Sequence, residues 1–245
     1  MTPSSGRCDV DTAVIVPVYR NRETVEELVA RLHDALDARR ISHRIVLVDD
    51  ACPEGSGAML DRLALSDDRI VVLHLETNGG QHRAVLAGLA WAASEWIVVM
   101  DADLQDSPEQ TPKLLETARE DAAIVFAGRR GRYESAGRLF TSFIYRLLLP
   151  LIAGVPRDSG MFFAAPYRVA PILLAMEAPS PHIVVMLGFT GVQARSIPVH
   201  RSRRLLGESS YSGSLRLRSA LAAFRTGLRL RASAKSSRVF ANRPQ

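Results

Sequence analysis

Four runs of apolar, largely β-branched residues punctuate the first hundred positions: Ala13–Tyr19, Ile45–Asp50, Ile70–Leu75 and Trp96–Met100. Between them lie stretches of helical period; Glu23–Arg40, for example, sets Val25, Leu28, Val29, Leu32 and Leu36 on one face. Ala58–Leu65 and Gln81–Ala93 fill the other two gaps. Strands that are apolar throughout have no side to offer to water, so helices must cover both faces. The pattern therefore predicts an α/β fold with a mostly parallel sheet. Pro17 is expected to end the first strand, and Pro53–Gly57 and Asn78-Gly79-Gly80 are expected to be turns. Further on, Pro108 suits the first turn of a helix reaching Arg119. Ala123–Ala127 reads as a strand running into Gly128-Arg129-Arg130, and Arg130–Gly137 as a loop. Then follow an amphipathic helix or helix pair over Leu139–Ile152, a short strand at Phe162–Ala165, a helix at Val169–Met176 and an edge strand at Ala194–Val199.

The strand Trp96–Met100 runs directly into Asp101-Ala102-Asp103-Leu104-Gln105. On an extended backbone, carboxylates at i and i+2 point the same way. A pair of hard oxygens at the carboxyl end of a strand suits Mg²⁺ or Mn²⁺, which can then bridge a diphosphate. Ligands of open α/β sheets sit outside that same edge. Asp49 and Asp50 end a second strand and Arg129-Arg130 another. A parallel sheet would bring all three ends to one rim, giving a nucleotide-diphosphate site with Asp50 near a ribose or base and arginines on phosphate oxygens. The plain alternative is a strand followed by an acidic turn.

Charge is unevenly spread. The net charge is +5, but from Arg195 onward there are 12 basic residues against the single acid Glu208, 12 − 1 = +11. A basic end on an acidic body suits a polyanionic partner: phosphates, an anionic membrane surface or nucleic acid. Leu215–Leu230 sets Leu215, Leu217, Leu221, Phe224 and Leu228 among Arg216, Arg218, Arg225 and Arg229, a basic amphipathic helix. Aromatic residues are scarce there, only Tyr211, Phe224 and Phe240, so stacking platforms for nucleic acid are few and none is expected as partner. Two cysteines, Cys8 and Cys52, make no disulfide framework and fit a reducing cytosol. No apolar leader is expected at Met1–Asp11, nor a membrane-spanning helix, since the greasiest stretch, Phe143–Val155, is broken by Arg146 and Pro150.

Several chemistries lose support. There is no phosphate-binding Gly-x-x-x-x-Gly-Lys-Ser/Thr loop, no Gly-x-Gly-x-x-Gly after a strand and no Gly-x-Ser-x-Gly elbow. The six histidines show no zinc-ligand spacing, and His33 is expected on a helix surface. Cys52 is expected to pack rather than react, and Asp49 either to cap the turn after it or to face the site.

Six motifs in order carry a resemblance: Val16-Pro17-Val18-Tyr19-Arg20-Asn21, Val48-Asp49-Asp50, Asn78-Gly79-Gly80-Gln81, Asp101-Ala102-Asp103-Leu104-Gln105, Asp158-Ser159-Gly160 and Gly207-Glu208-Ser209-Ser210-Tyr211-Ser212. Together they resemble a family-2 glycosyltransferase of the GT-A fold, nearest the polyprenol-phosphate sugar transferases such as dolichol-phosphate mannosyltransferase. The resemblance spans roughly residues 13–213. It implies residues 1–11 as a flexible start, 12–213 as the catalytic domain and 214–245 as a basic helix and tail.

The resemblance also implies roles. Pro17, Val18, Tyr19 and Asp50 would hold the nucleotide, with Gln81 and Ala102 also on the nucleotide-sugar. Asp101, Asp103 and Gln105 would hold Mg²⁺ or Mn²⁺. Arg129 or Arg130 would lie near the phosphates, and Arg201 or Arg204 with Ser209 in a loop closing over the diphosphate. Asp103 and Asp158 are the catalytic candidates, Asp158 at the acceptor end, where it would serve a hydroxyl acceptor as general base. The expected reaction inverts the sugar as it leaves a nucleotide diphosphate for a polyprenyl phosphate, by a cytoplasmic enzyme peripheral to the membrane. The alternative acceptor is a small-molecule hydroxyl. Ser210, where that branch usually has a lysine, favours the alternative. Self-association is left open.

Overall fold

A computed structural model describes residues 10–130, 147, 149–200 and 222–232. Among these residues seven strands form one sheet: β1 Val10–Val18, β2 His43–Asp49, β3 Ile70–His74, β4 Ser94–Val99, β5 Ile124–Arg130, β6 Phe163–Pro166 and β7 Ala194–His200. Their order is β3-β2-β1-β4-β6-β5-β7. All neighbours are parallel except β6, which runs antiparallel between β4 and β5. The predicted mostly parallel α/β sheet is present, with Ala194–His200 at its edge as expected.

Period-two alternation assigns the apolar strand residues to two cores. Val14 and Val16 pack with Leu28, Leu32, Leu36, Leu114 and Leu115 from α1 (Arg22–Asp37) and α4 (Thr111–Asp121); α2 (Ser56–Ser66) lies on that side too, through Met59 and Leu60. Ala13 and Ile15 face the opposite way, onto Val85 and Leu89 of α3 (Gln81–Trp91), with Leu173 of α5 (Val169–Ala175) and the buried α6 (Ile183–Leu187). The sequence assigned nothing to α6. Its run Ile-Val-Val-Met-Leu carries no helical stripe because every side chain is buried.

Pro17 does not end β1. It pairs opposite Val48, and β1 continues to Val18. Val18 accepts the Asp50 N–H on the β2 side and Ile15 the Met100 N–H on the β4 side, so the nitrogen of Pro17 faces β4. There the register stops at Ile15 opposite Val99. The missing N–H thus closes only the β1–β4 ladder, at the point where β4 leaves the sheet for its acidic turn. His33 also departs from expectation: it is half-buried, its Nδ1 2.7 Å from His43 Nε2. The helix expected at Leu139–Ile152 lies mostly outside the described residues, as does 215–221 of the basic helix; 149–153 and 222–232 are helical.

Candidate active site

Because β1, β2, β4 and β5 run the same way, their carboxyl ends share one rim. Asp49 closes β2, the chain after Val99 carries Asp101 and Asp103, and β5 ends at Arg130. Among the described residues, three of the five non-glycine residues with positive φ stand in this rim's loops: Arg20 at 57°, Ala51 at 50° and Leu104 at 55°. Such backbone persists only where the surroundings hold it, and it concentrates at working sites.

Asp50 is buried, which pushes its carboxyl up from the ordinary range; hydrogen bonds from Gly79 and Gly80 oppose the shift, and Asp49 adds to it. Its Oδ1 accepts the Gly79 N–H at 2.7 Å and its Oδ2 the Gly80 N–H at 2.9 Å. This carboxylate therefore shapes the turn into α3, where Gly80 takes a φ of 81° that glycine tolerates. The next residue, Gln81, donates through Nε2 to Asp101 Oδ1. The Gly79–Gln81 turn thus links the end of β2 to the acidic turn, hydrogen-bonded to Asp50 on one side and to Asp101 on the other.

That turn is not extended, but its alternation survives. Asp101, Asp103 and Gln105 are half-buried, whereas Ala102, Leu104 and Asp106 are buried. Asp103 Oδ1 accepts the Gln105 N–H at 3.1 Å. Ala102 turns inward, its carbonyl accepting from Thr24 Oγ1 at 2.6 Å. Among the described residues no group of three His, Cys, Asp or Glu side chains is arranged to hold a metal. The half-buried carboxylates of Asp101 and Asp103 are hard oxygen donors of the kind Mg²⁺ and Mn²⁺ take, ions that keep water and phosphate oxygens for the rest of their shell.

Pro17 and Val18 are buried and Tyr19 half-buried at the end of β1. Asp49 caps its turn, Oδ1 accepting the Cys52 N–H at 3.0 Å. Its Oδ2 meets His74 Nδ1 at 3.1 Å, while His74 Nε2 meets Asp61 Oδ1 at 2.9 Å. These bonds, that to Asp61 foremost, raise the imidazole above its ordinary value. Cys52 packs as expected, its Sγ accepting from Arg20 N–H and Ser56 Oγ. Asp158 lies against Gly128 in β5, close enough that a Cβ there would overlap its carboxylate. Arg129 and Arg130 are at the rim by backbone. Arg201, Arg204, Ser209 and Ser210 lie outside the described residues.

The sequence reading missed His74, Thr24 and His82. His82 is half-buried one residue beyond Gln81, its ring 4.5 Å from that of His182. Burial holds these imidazoles down, at about 4 and about 3. Their only linear signal was adjacency to the Asn78–Gln81 turn or to a helix start.

The family model "Glycosyl transferase family 2" matches residues 13–188. The undecaprenyl-phosphate 4-deoxy-4-formamido-L-arabinose transferases of Salmonella choleraesuis and Salmonella typhimurium are each 31% identical over 203 residues, covering 82% of this chain. The chain spans 62% of the length of these curated relatives. Mannosyl-3-phosphoglycerate synthase from Rubrobacter xylanophilus superposes with a TM-score of 0.65 at 17% identity, over 92% of this chain and 75% of that one. A mannosyltransferase from Pyrobaculum calidifontis in complex with GDP-Man and Mn²⁺ gives 0.58 at 17% identity, over 96% and 77%. The fold is GT-A, as the resemblance implied. With its acidic turn on the carboxyl rim and a family match over most of its length, this chain belongs to glycosyl transferase family 2.

Proposed function

We propose that the chain moves a sugar, with inversion, from a nucleotide diphosphate to a polyprenyl phosphate. The observation that carries this reading is the acidic turn: Asp101 and Asp103 half-exposed on the rim, with Gln81 and the Gln105 N–H braced against them. The acceptor class follows the names of the relatives, which are undecaprenyl-phosphate transferases.

In this reading Asp101 and Asp103, with Gln105 beside them, hold Mg²⁺ or Mn²⁺. Bound there, the ion would act as a Lewis acid on the leaving diphosphate. Pro17, Val18, Tyr19 and Asp50 form the nucleotide end. Ala102, being turned inward, serves the nucleotide-sugar by spacing the carboxylates. Arg129, Arg204 and Ser209 are assigned to the phosphates. A phosphate acceptor is already anionic, so it attacks the anomeric carbon with little help from a base. Asp158 then orients the acceptor.

The acceptor would be reached at a membrane surface. No helix among the described residues is long and apolar enough to cross a membrane. However, Leu147, Leu151, Phe224 and Leu228 are exposed, with Leu151 at 64% and Leu228 at 52%, and Arg225 and Arg229 are beside them in the sequence, Arg225 exposed. Exposed apolar side chains with arginines next to them along a helix suit an anionic leaflet.

A thermal-shift screen of nucleotide diphosphates with and without Mn²⁺ tests the donor half, since a bound ligand stabilises by mass action. A Mn²⁺-dependent rise with one nucleotide is expected; no rise with any overturns it. Transfer to undecaprenyl phosphate in detergent tests the acceptor half. Transfer only to a soluble hydroxyl compound would move the assignment to that acceptor.

A further inference from the structure

The acidic turn is held from behind by a residue that no motif contains. Thr24 stands in the first turn of α1 and is 8% exposed. Its hydroxyl lies 2.6 Å from the carbonyl of Ala102, 78 residues away, and 3.1 Å from that of Asn21. One hydroxyl carries one proton, and the shorter contact takes it.

The Ala102 carbonyl belongs to the peptide that leads into Asp103. Fixing that peptide plane fixes one side of the Asp103 Cα. The other side is fixed by the Asp103 carboxylate on the Gln105 N–H and by Leu104, which is buried at a φ of 55°. A second tie runs parallel to the first: Arg31 of α1 forks onto Glu109, Nε to Oε1 at 2.7 Å and Nη2 to Oε2 at 3.0 Å. The helix is itself anchored near its start, where the Arg20 N–H donates to Cys52 Sγ at 3.3 Å.

We infer that Thr24 is a positioning residue for the Asp101/Asp103 pair, setting the direction of Asp103 through the Ala102 carbonyl. This rests on the reading of those carboxylates as ion-holding groups. The hydroxyl touches neither ion nor substrate; it acts by denying the turn its alternative peptide orientations. Groups that orient ligands in this way typically weaken metal binding by about 10- to 100-fold when removed.

The test compares Thr24→Val, which keeps the shape and deletes the donor, with Thr24→Ser, which keeps the donor. Mn²⁺ alone is titrated and the free ion read by electron paramagnetic resonance, with amide exchange over residues 100–106 followed in parallel. Thr24→Val is expected to weaken Mn²⁺ binding about 10-fold and to speed exchange in the turn, with Thr24→Ser like the wild type. In transfer assays Thr24→Val should lose activity at low Mn²⁺ and regain kcat at saturating Mn²⁺. Unchanged Mn²⁺ affinity and unchanged exchange in folded Thr24→Val would overturn the inference. A wild type that takes up no Mn²⁺ would instead overturn the ion-holding reading, leaving turn exchange to decide whether Thr24 braces the peptide.

Discussion

Asp103 is the residue on which the proposed chemistry turns. Its side chain is half-exposed, so Asp103→Ala removes a charge from the rim without opening a cavity in either core. Turnover should vanish while the melting temperature moves little; retained transfer activity would remove the residue from the site. Glycines limit the neighbourhood more tightly than charge does. A Cβ on Gly88 would fall 2.5 Å from Ile15 Cγ2, in the seam between α3 and β1. Both partners are buried, so Gly88→Ala should cost about 1–3 kcal/mol in urea unfolding. At Gly128 the added methyl meets the Asp158 carboxylate instead. Gly128→Ala should therefore harm transfer through displaced Asp158, and a variant of wild-type activity would detach Asp158 from the reaction.

Among the elements, α1 and α3 brace the acidic turn from opposite sides, through Thr24 and Gln81. Each is positioned by packing on a different face of the sheet. The helical segments 149–153 and 222–232 form another pair. Gly227 sits so close to Ile152 that a Cβ would overlap it, and Arg231 donates to the carbonyls of Ile152 and Leu151. Their apolar residues left outside are the proposed membrane contact. Leu151→Glu with Leu228→Glu should abolish sedimentation with anionic vesicles and leave the fold unchanged by circular dichroism. Neutral vesicles should bind the wild type weakly. Equal binding of the double variant to anionic vesicles would refute the contact.

For the whole molecule, pH acts through histidines of opposite sign. His82 and His182 are held at about 4 and about 3 by burial, below the 6.5 of an open chain. The unfolded chain binds those protons first, so their contribution is complete above about pH 6.5 and falls away as pH drops toward 4. His74 is raised, so its contribution is present below pH 6.5 and is lost as pH climbs through its folded value. His82 and His182 should dominate, because the His74 side chain is 45% exposed and its ion pairs are screened by solvent. Urea midpoints should fall from neutral pH to about 4.5, and His182→Gln should flatten that slope. A slope unchanged by the substitution would place the acid sensitivity elsewhere.

The amino-acid sequence alone determined the layers and the rim. Apolar runs such as Val14–Val18 and Val46–Val48 have no solvated face, so they had to be covered on both sides; the acids after such runs then had to share an edge. Their order along the chain was enough to suggest the family. Only tertiary structure decided what each group on the rim touches. Asp50 spends both oxygens on Gly79 and Gly80, Pro17 sits inside its strand, and His33 is tucked against His43. Thr24 braces a turn 78 residues away. Hydrogen bonds between residues distant in sequence follow no period, so no pattern of spacing could announce them, whereas burial is periodic and can be read directly.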